Sequence, residues 1–329
     1  MTPRVVPTPG LLLCLLATCV VPVVARGQAP AAAAPSPQPT ARITGYLQPR
    51  FQTVGDSASF FLRRARFAVE GQITPWASFR AQVEMRTIGA LATPPASPLT
   101  LSATDLWIRL SHQRWGGTVG QFRVPLSLES LLSSTTLETT ERSRIVNVAR
   151  RDIGVQADWR IPQLLLQAAM VNGEGPNRAT NPDNRMAYFV RAVATPVQGL
   201  DVGGAFAGYS DSTIGNAQAL YRLGRWTARA EYLRAHHKTA AFNTRGWYAL
   251  AAYSVVPQQV QIVGRVQQYD PTNKKLGTVA TDRSTGYLLG LQYFMRGDNF
   301  KVMADYEVFR EQTVQLKNNR GVVQMQVRF

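Results

Sequence analysis

The sequence predicts an all-β fold: a transmembrane antiparallel β-barrel of sixteen strands, with short turns at one end and long loops at the other. Three observations lead there. From residue 43 to the end, apolar residues recur at period two and helical spacing is hard to find. The connections between the alternating segments run short and long in turn. The polar face of those segments carries arginine, glutamate and aspartate, which are too costly to bury as a dry core.

The alternation is clearest over 77–86. Ala77, Phe79, Ala81, Val83 and Met85 form one face, and Ser78, Arg80, Gln82, Glu84 and Arg86 the other. At the C-terminus Gly321, Val323, Met325, Val327 and Phe329 alternate with Val322, Gln324, Gln326 and Arg328. The first eight predicted strands are 43–53, 60–73, 76–86, 104–111, 115–124, 152–160, 164–172 and 186–195. The second eight are 201–209, 216–222, 226–236, 245–254, 259–269, 285–295, 300–309 and 319–329.

Short connections at 73–75, 111–115, 160–163, 195–200, 223–225, 255–258 and 296–299 mostly carry Pro or Gly, as tight turns require. Long ones fall at 87–103, 125–151, 173–185, 270–284 and 310–318, with a shorter link at 210–215 on the same side. A soluble sandwich has no reason to put every long loop at one end. A bacterial outer-membrane barrel does, its periplasmic turns being short and its extracellular loops long. An even strand number also returns both ends to the periplasmic side. Placing the apolar face in lipid and the charged face around a watery lumen satisfies both faces. Trp76, Trp159, Tyr188, Trp226, Tyr253 and Tyr306 stand at strand ends, where interfacial girdles form, although ordinary packing accounts for any one of them alone.

The N-terminus sets the compartment. Arg4 precedes an apolar run over 11–24, and Val23 and Ala25 sit as a small-residue cleavage site. That pattern predicts a signal peptide over 1–25; the competing reading is an uncleaved anchor, for which the run is short. Residues 26–42 are dominated by Ala, Pro, Gln and Ser and read as a flexible leader, and 43–329 as the barrel. Both cysteines, Cys14 and Cys19, lie in the removed segment, so the mature chain has no thiol chemistry. Thr18 is too bulky for a lipidation site at Cys19. The formal charge is +16, and the basic residues are 31 Arg against 5 Lys. A basic exported chain without nucleic-acid motifs points to acidic solutes and to a lipid and lipopolysaccharide setting.

By the phase of the alternation, Arg50, Arg64, Arg66, Arg80, Arg86, Arg109, Arg123, Arg191, Arg222, Arg229, Arg265 and Arg328 face the lumen. So do Glu70, Glu84, Asp105, Asp152, Asp158, Glu231, Asp305 and Glu307. Arg64, Arg66, Arg80, Arg109 and Arg123 make the strongest basic cluster. Arginine rings favour anions in a pore, and the guanidinium fork suits phosphate or carboxylate. The other reading is that these arginines only pair with wall acids. The longest connection contains a stretch, 127–143, with no Gly or Pro. It reads as a short helix folded inward to narrow a wide bore, or else as an outward lid.

Several stretches resemble a known family, the phosphate-selective porins O and P. They are Gly45-Tyr46-Leu47-Gln48-Pro49-Arg50-Phe51, Phe61-Leu62-Arg63-Arg64-Ala65-Arg66-Phe67-Ala68-Val69-Glu70-Gly71, Val119-Gly120-Gln121-Phe122-Arg123-Val124-Pro125 and Glu141-Arg142-Ser143. The likeness is dense over 43–160 and continues beyond only as strand pattern and the terminal Val327-Arg328-Phe329. It implies a trimer of sixteen-stranded barrels, an inward third loop and an arginine ladder. Carried over by residue, it implies an arginine pair at Arg63 and Arg64, loop serines at Ser133 and Ser134, and a constriction acid at Asp105. Simple alternation points Arg63 toward lipid, so a bulge is expected there. Members specialised for phosphate draw on loop lysines, and this chain is nearly without lysine.

Other chemistry finds little support in the sequence. His112 falls in a turn, and the adjacent His236 and His237 point to opposite sides of an extended chain, which makes them poor joint metal ligands. No metal or cofactor is expected. An outer-membrane hydrolase lacks a convincing Ser–His pair, and a non-conducting structural barrel usually has fewer strands.

Overall fold

Alternation at period two becomes sixteen strands in the computed structural model, which describes residues 39–87, 99–146, 151–209, 211–272 and 282–329. The first four are β1 (Thr40–Val54), β2 (Ser57–Thr74), β3 (Ala77–Thr87) and β4 (Leu99–His112). Next come β5 (Trp115–Arg123), β6 (Arg151–Ile161), β7 (Leu164–Val171) and β8 (Ala187–Val197). The second half holds β9 (Leu200–Tyr209), β10 (Ser212–Leu223), β11 (Trp226–His237) and β12 (Phe242–Val256). The chain closes with β13 (Val260–Asp270), β14 (Ser284–Arg296), β15 (Phe300–Glu311) and β16 (Arg320–Arg328). Each strand pairs antiparallel with its sequence neighbours, and β1 pairs β16 to close the barrel, for example Tyr46 opposite Arg328 and Val54 opposite Arg320.

Most boundaries differ from the sequence reading by a few residues, and three of them bear on the fold. β1 begins at Thr40, inside the expected leader, because Thr40, Ala41 and Arg42 pair with Gln72, Gly71 and Glu70 of the long β2. β10 starts at Ser212, so most of the expected 210–215 loop is strand. Ser212 to Gly215 pair on both sides, with β9 and β11, although one apolar residue, Ile214, among Ser212, Thr213 and Gly215 gives no alternation signal. β4 begins at Leu99, five residues before the expected 104. The expected signal peptide and most of the leader lie outside the described residues.

The two faces divide as polar lumen and apolar exterior require. Along β14, Tyr287, Leu289, Leu291 and Tyr293 are exposed while Gly286, Leu288, Gly290 and Gln292 are buried. Trp76, Trp115 and Trp226 are exposed near the short turns, and Tyr188 and Tyr287 near the long-loop end, giving an aromatic belt at each rim. Of the six aromatics expected there, Trp76, Tyr188, Trp226 and Tyr306 are exposed; Trp159 and Tyr253 are half-buried against Trp115 and Trp226.

The lumen is not polar all round. β7 to β14 turn Ala169, Val171, Phe189, Ile214 and Leu233 inward, where they join Val124, Leu126 and Ile145 in one buried apolar cluster. The sequence hides this wall because both faces of those strands are apolar there.

Candidate functional site: an arginine-lined neck

After β5 the chain turns into the bore. Residues 124–146 carry one short helix, α1 (Leu128–Leu131), and a 3-10 turn, Arg144–Val146. A four-residue helix cannot satisfy its own first N–H groups, so the barrel wall does it. Glu231 of β11 accepts from Leu128 N at 2.6 Å, Glu129 N at 3.1 Å and Ser127 Oγ at 3.2 Å. Arg229 pairs Glu138 at 2.7 Å and Glu129 at 3.2 Å. Further along, Thr140 donates from N and Oγ1 to Asp305, at 2.6 and 2.8 Å, and Ser143 donates to Gln267 at 2.8 Å. The loop is thus pinned inside, against β11, β13, β15 and β1, and the outward-lid reading is set aside.

The facing wall, β2 to β6, is built from irregularities. The β1–β2 register shifts between Gln48 and Pro49, leaving Arg63 as the extra residue of a bulge. The bulge puts Arg63 and Arg64 on the same side, as β-bulges re-aim side chains. A second shift, between Ala81 and Val83, turns both Thr104 and Asp105 inward. At Gly120, φ is +117° and a Cβ would stand 2.2 Å from the Leu106 carbonyl oxygen, so only glycine fits. The alternation breaks there, and Gln121 and Arg123 both find polar partners inside.

Most of the expected arginines have an acid. Glu141 of the loop takes Arg50 at 2.7 Å, Arg63 at 2.5 Å and Arg64 at 3.2 Å. Burial pushes the Glu141 carboxyl up, but Arg63, Arg64 and Arg50 together outweigh it and hold it well below the usual carboxylate range. Arg66 pairs Glu84 at 2.9 Å, Arg80 pairs Glu70, and Arg109 forks onto Asp158 at 2.7 and 2.9 Å. Asp105 is held by Arg151 at 2.8 Å. Arg123 differs. Its Nη1 donates to the carbonyls of Leu131 at 2.8 Å and Leu132 at 2.7 Å, and among the described residues no carboxylate lies within 4.0 Å of it.

Ser133 bonds Thr135 at 2.9 Å, and Ser134 accepts from Arg142 at 3.3 Å. Arg191 bonds Gln167 and Gln218 further round the wall, and Arg222 stands exposed at the short-turn rim. The side chain of Arg86 lies outside the described residues. Sequence reasoning gave no role to Glu141 or Arg151; Glu141 stood in the Glu-Arg-Ser motif, but its three arginine partners meet it only through the fold.

Two cavities meet at this place. One, about 860 Å³, opens toward the long-loop end and is lined by seven arginines and three carboxylates. The other, about 490 Å³, lies toward the short turns and is lined by four arginines and two carboxylates. Arg66 and Arg123 line both, which places them where the two vestibules join. His237 reaches the upper cavity, held by Ser212 at 2.7 Å and Thr244 at 2.9 Å, while His236 turns to Asn243.

A closed sixteen-stranded barrel, lipid-facing outside and narrowed by an inward loop, defines an outer-membrane channel of the porin class. The family model for phosphate-selective porin O and P matches residues 44–222 and 203–329, and the chain belongs to that family. Solved structures share the fold at low identity. The outer-membrane channel DcaP of Acinetobacter baumannii is 10% identical, with TM-score 0.67 over 89% of this chain and 98% of its own. The outer-membrane protein OmpT of Vibrio cholerae, in trimer form, is 12% identical, with TM-score 0.64 over 89% and 100%. OpdK of Pseudomonas aeruginosa, solved with vanillate, is 11% identical, with TM-score 0.57 over 88% and 98%. Comparison of the sequence with curated proteins finds no match.

Proposed function

We propose that this channel passes small anions by diffusion, with a preference set at the Arg66–Arg123 neck and without strict specificity for phosphate. The observation that carries the reading is the excess of arginine over carboxylate in both vestibules, with Arg123 at their junction bound only by neutral carbonyls. Carbonyl partners orient the guanidinium without neutralising it, and the acid that acts on it from farther off, Asp105, is itself paired with Arg151. A fixed charge acts over about a Debye length, roughly 8–10 Å at physiological salt, so an ion in the neck feels it. Guanidinium forks donate to phosphate and carboxylate alike, and among the described residues neither vestibule is lined by a lysine. The chain is exported by the 1–25 signal peptide, and three copies assemble as a homotrimer, in keeping with the trimer form of the V. cholerae neighbour.

The test is the zero-current potential of the purified protein in a planar bilayer under a KCl gradient. Chloride should carry most of the current, and the preference should fall as salt rises. Arg123→Glu should move the potential toward cations. A cation-selective unmodified channel would refute the reading, and phosphate block at submillimolar concentration would refute the absence of strict specificity.

A further inference from the structure

The larger vestibule has two unlike walls. Arg66 and Arg123 reach it from β2 and β5, while Tyr209, Ile214, Leu233 and Tyr269 line it from β9, β10, β11 and β13. In a closed ring of sixteen strands these groups lie about half a circumference apart, so the arginines of β2 and β5 face a mixed wall across the cavity, where the two tyrosines stand with His237 and with Arg245, itself paired with Asp270 at 3.2 Å. Phosphate and chloride interact with the arginines and gain nothing from the tyrosine rings. The two tyrosines are half-buried and keep ring surface at the cavity, and Tyr209 is braced by Phe189, ring centroids 6.0 Å apart.

We propose that the vestibule is a selection site for amphipathic monocarboxylates, with the carboxylate on the arginine wall and an aromatic or branched apolar body on the tyrosine wall. Water held over both walls is then replaced by complementary surface. The count of carboxylates is limited to one because Glu174 and Asp211 also line the cavity by the tyrosine side, in the segment after β7 and the link between β9 and β10, while Arg245 on that side is already paired with Asp270. A second carboxylate at the apolar end of the solute meets like charge there. The proposal rests on the anion preference argued above and adds the class of solute to it.

The experiment measures how far benzoate, acetate and terephthalate reduce the chloride current of the full-length protein in bilayers, alongside its zero-current potential in KCl. Benzoate should reach half-effect at about a tenfold lower concentration than acetate, the gain from desolvating about one ring face, and lower than terephthalate. In Tyr209→Ser the benzoate-to-acetate ratio should move toward one, a ratio that cancels any general change in conductance. Tyr269→Ser gives the same readout from another strand should the first variant fail to assemble. An anion-selective channel with equal half-effects for benzoate and acetate overturns this inference and leaves the anion reading standing. A cation-selective channel overturns both. A benzoate preference that survives both tyrosine variants removes the assignment of the wall.

Discussion

At the residue scale, the question is which of many arginines sets the field in the neck. Arg50, Arg63 and Arg64 share one carboxylate, Glu141, so neutralising any one arginine leaves the group's net charge positive. Arg123 has no such partner. Arg123→Ala should therefore lower the anion-to-cation permeability ratio several-fold, and Arg64→Ala should change it less; reversal potentials of the two variants, measured side by side, decide this. Glu141 also gives the loop a pH signature. Its pKa is lowered in the folded state, so its contribution is present above the unfolded value, about 4.3, and is lost only as pH falls through the lower folded value. Glu141's own contribution should hold from pH 7 down to about 4.3 and fall below that, as the protonated carboxyl releases its arginines. Comparing unfolding of the wild-type and Glu141→Gln proteins across that range checks this: a difference that is lost already above pH 5 would contradict the assignment.

At the element scale, strands and loop answer to different surroundings. Leu289 on β14 is 71% exposed in mid-strand, on the face assigned to lipid. Leu289→Arg should cost about 2–4 kcal/mol in unfolding measured in detergent or lipid, the depth-dependent penalty of a charge on that face. A neutral effect would place that face in water. Phe329 exchanges both backbone hydrogen bonds with Gly45 at 3.0 Å and sets its ring near Phe67, fastening the end of β16 across the seam. Deleting Phe329 should lower the yield of heat-resistant folded barrel, and full yield would deny the residue that role. The loop crosses the bore and fills space that sixteen strands leave open. Excising residues 130–140 should raise single-channel conductance, because the loop's middle and its Glu138–Arg229 and Thr140–Asp305 contacts would go with them.

At the scale of the whole molecule, the barrel has one apolar exterior, one partly polar lumen and a loop that binds to the far wall. The lumen is charged where β2 to β6 face the loop tip, while β7 to β14 mix an apolar patch packed on the loop's roots with the buried Arg229, Glu231, Arg265 and Gln267 that hold the loop. The solute class proposed above draws on that mixture. Intact mass on membrane-extracted protein should show a chain starting near Arg26; retention of residues 1–25 would remove the proposed signal peptide.

The sequence by itself determined the strands, their number, the side each connection lies on and, where the alternation is unbroken and one face is polar, the face each side chain presents. All of these follow from a local periodicity of two set against lipid and water. It also marked the cluster of Arg64, Arg66, Arg80, Arg109 and Arg123, since charge on one phase of neighbouring strands needs no fold to be read. Only the tertiary structure decided which arginines keep an uncancelled charge. Glu141 lies 77 residues from Arg64 and 91 from Arg50, and their meeting depends on the loop crossing the bore. The bulge at Arg63 and the left-handed turn at Gly120 are likewise choices of pairing and close approach, made by the neighbouring strands. The apolar wall escaped the sequence because a residue such as Phe189 or Leu233 looks the same whether its strand turns it to lipid or to the loop.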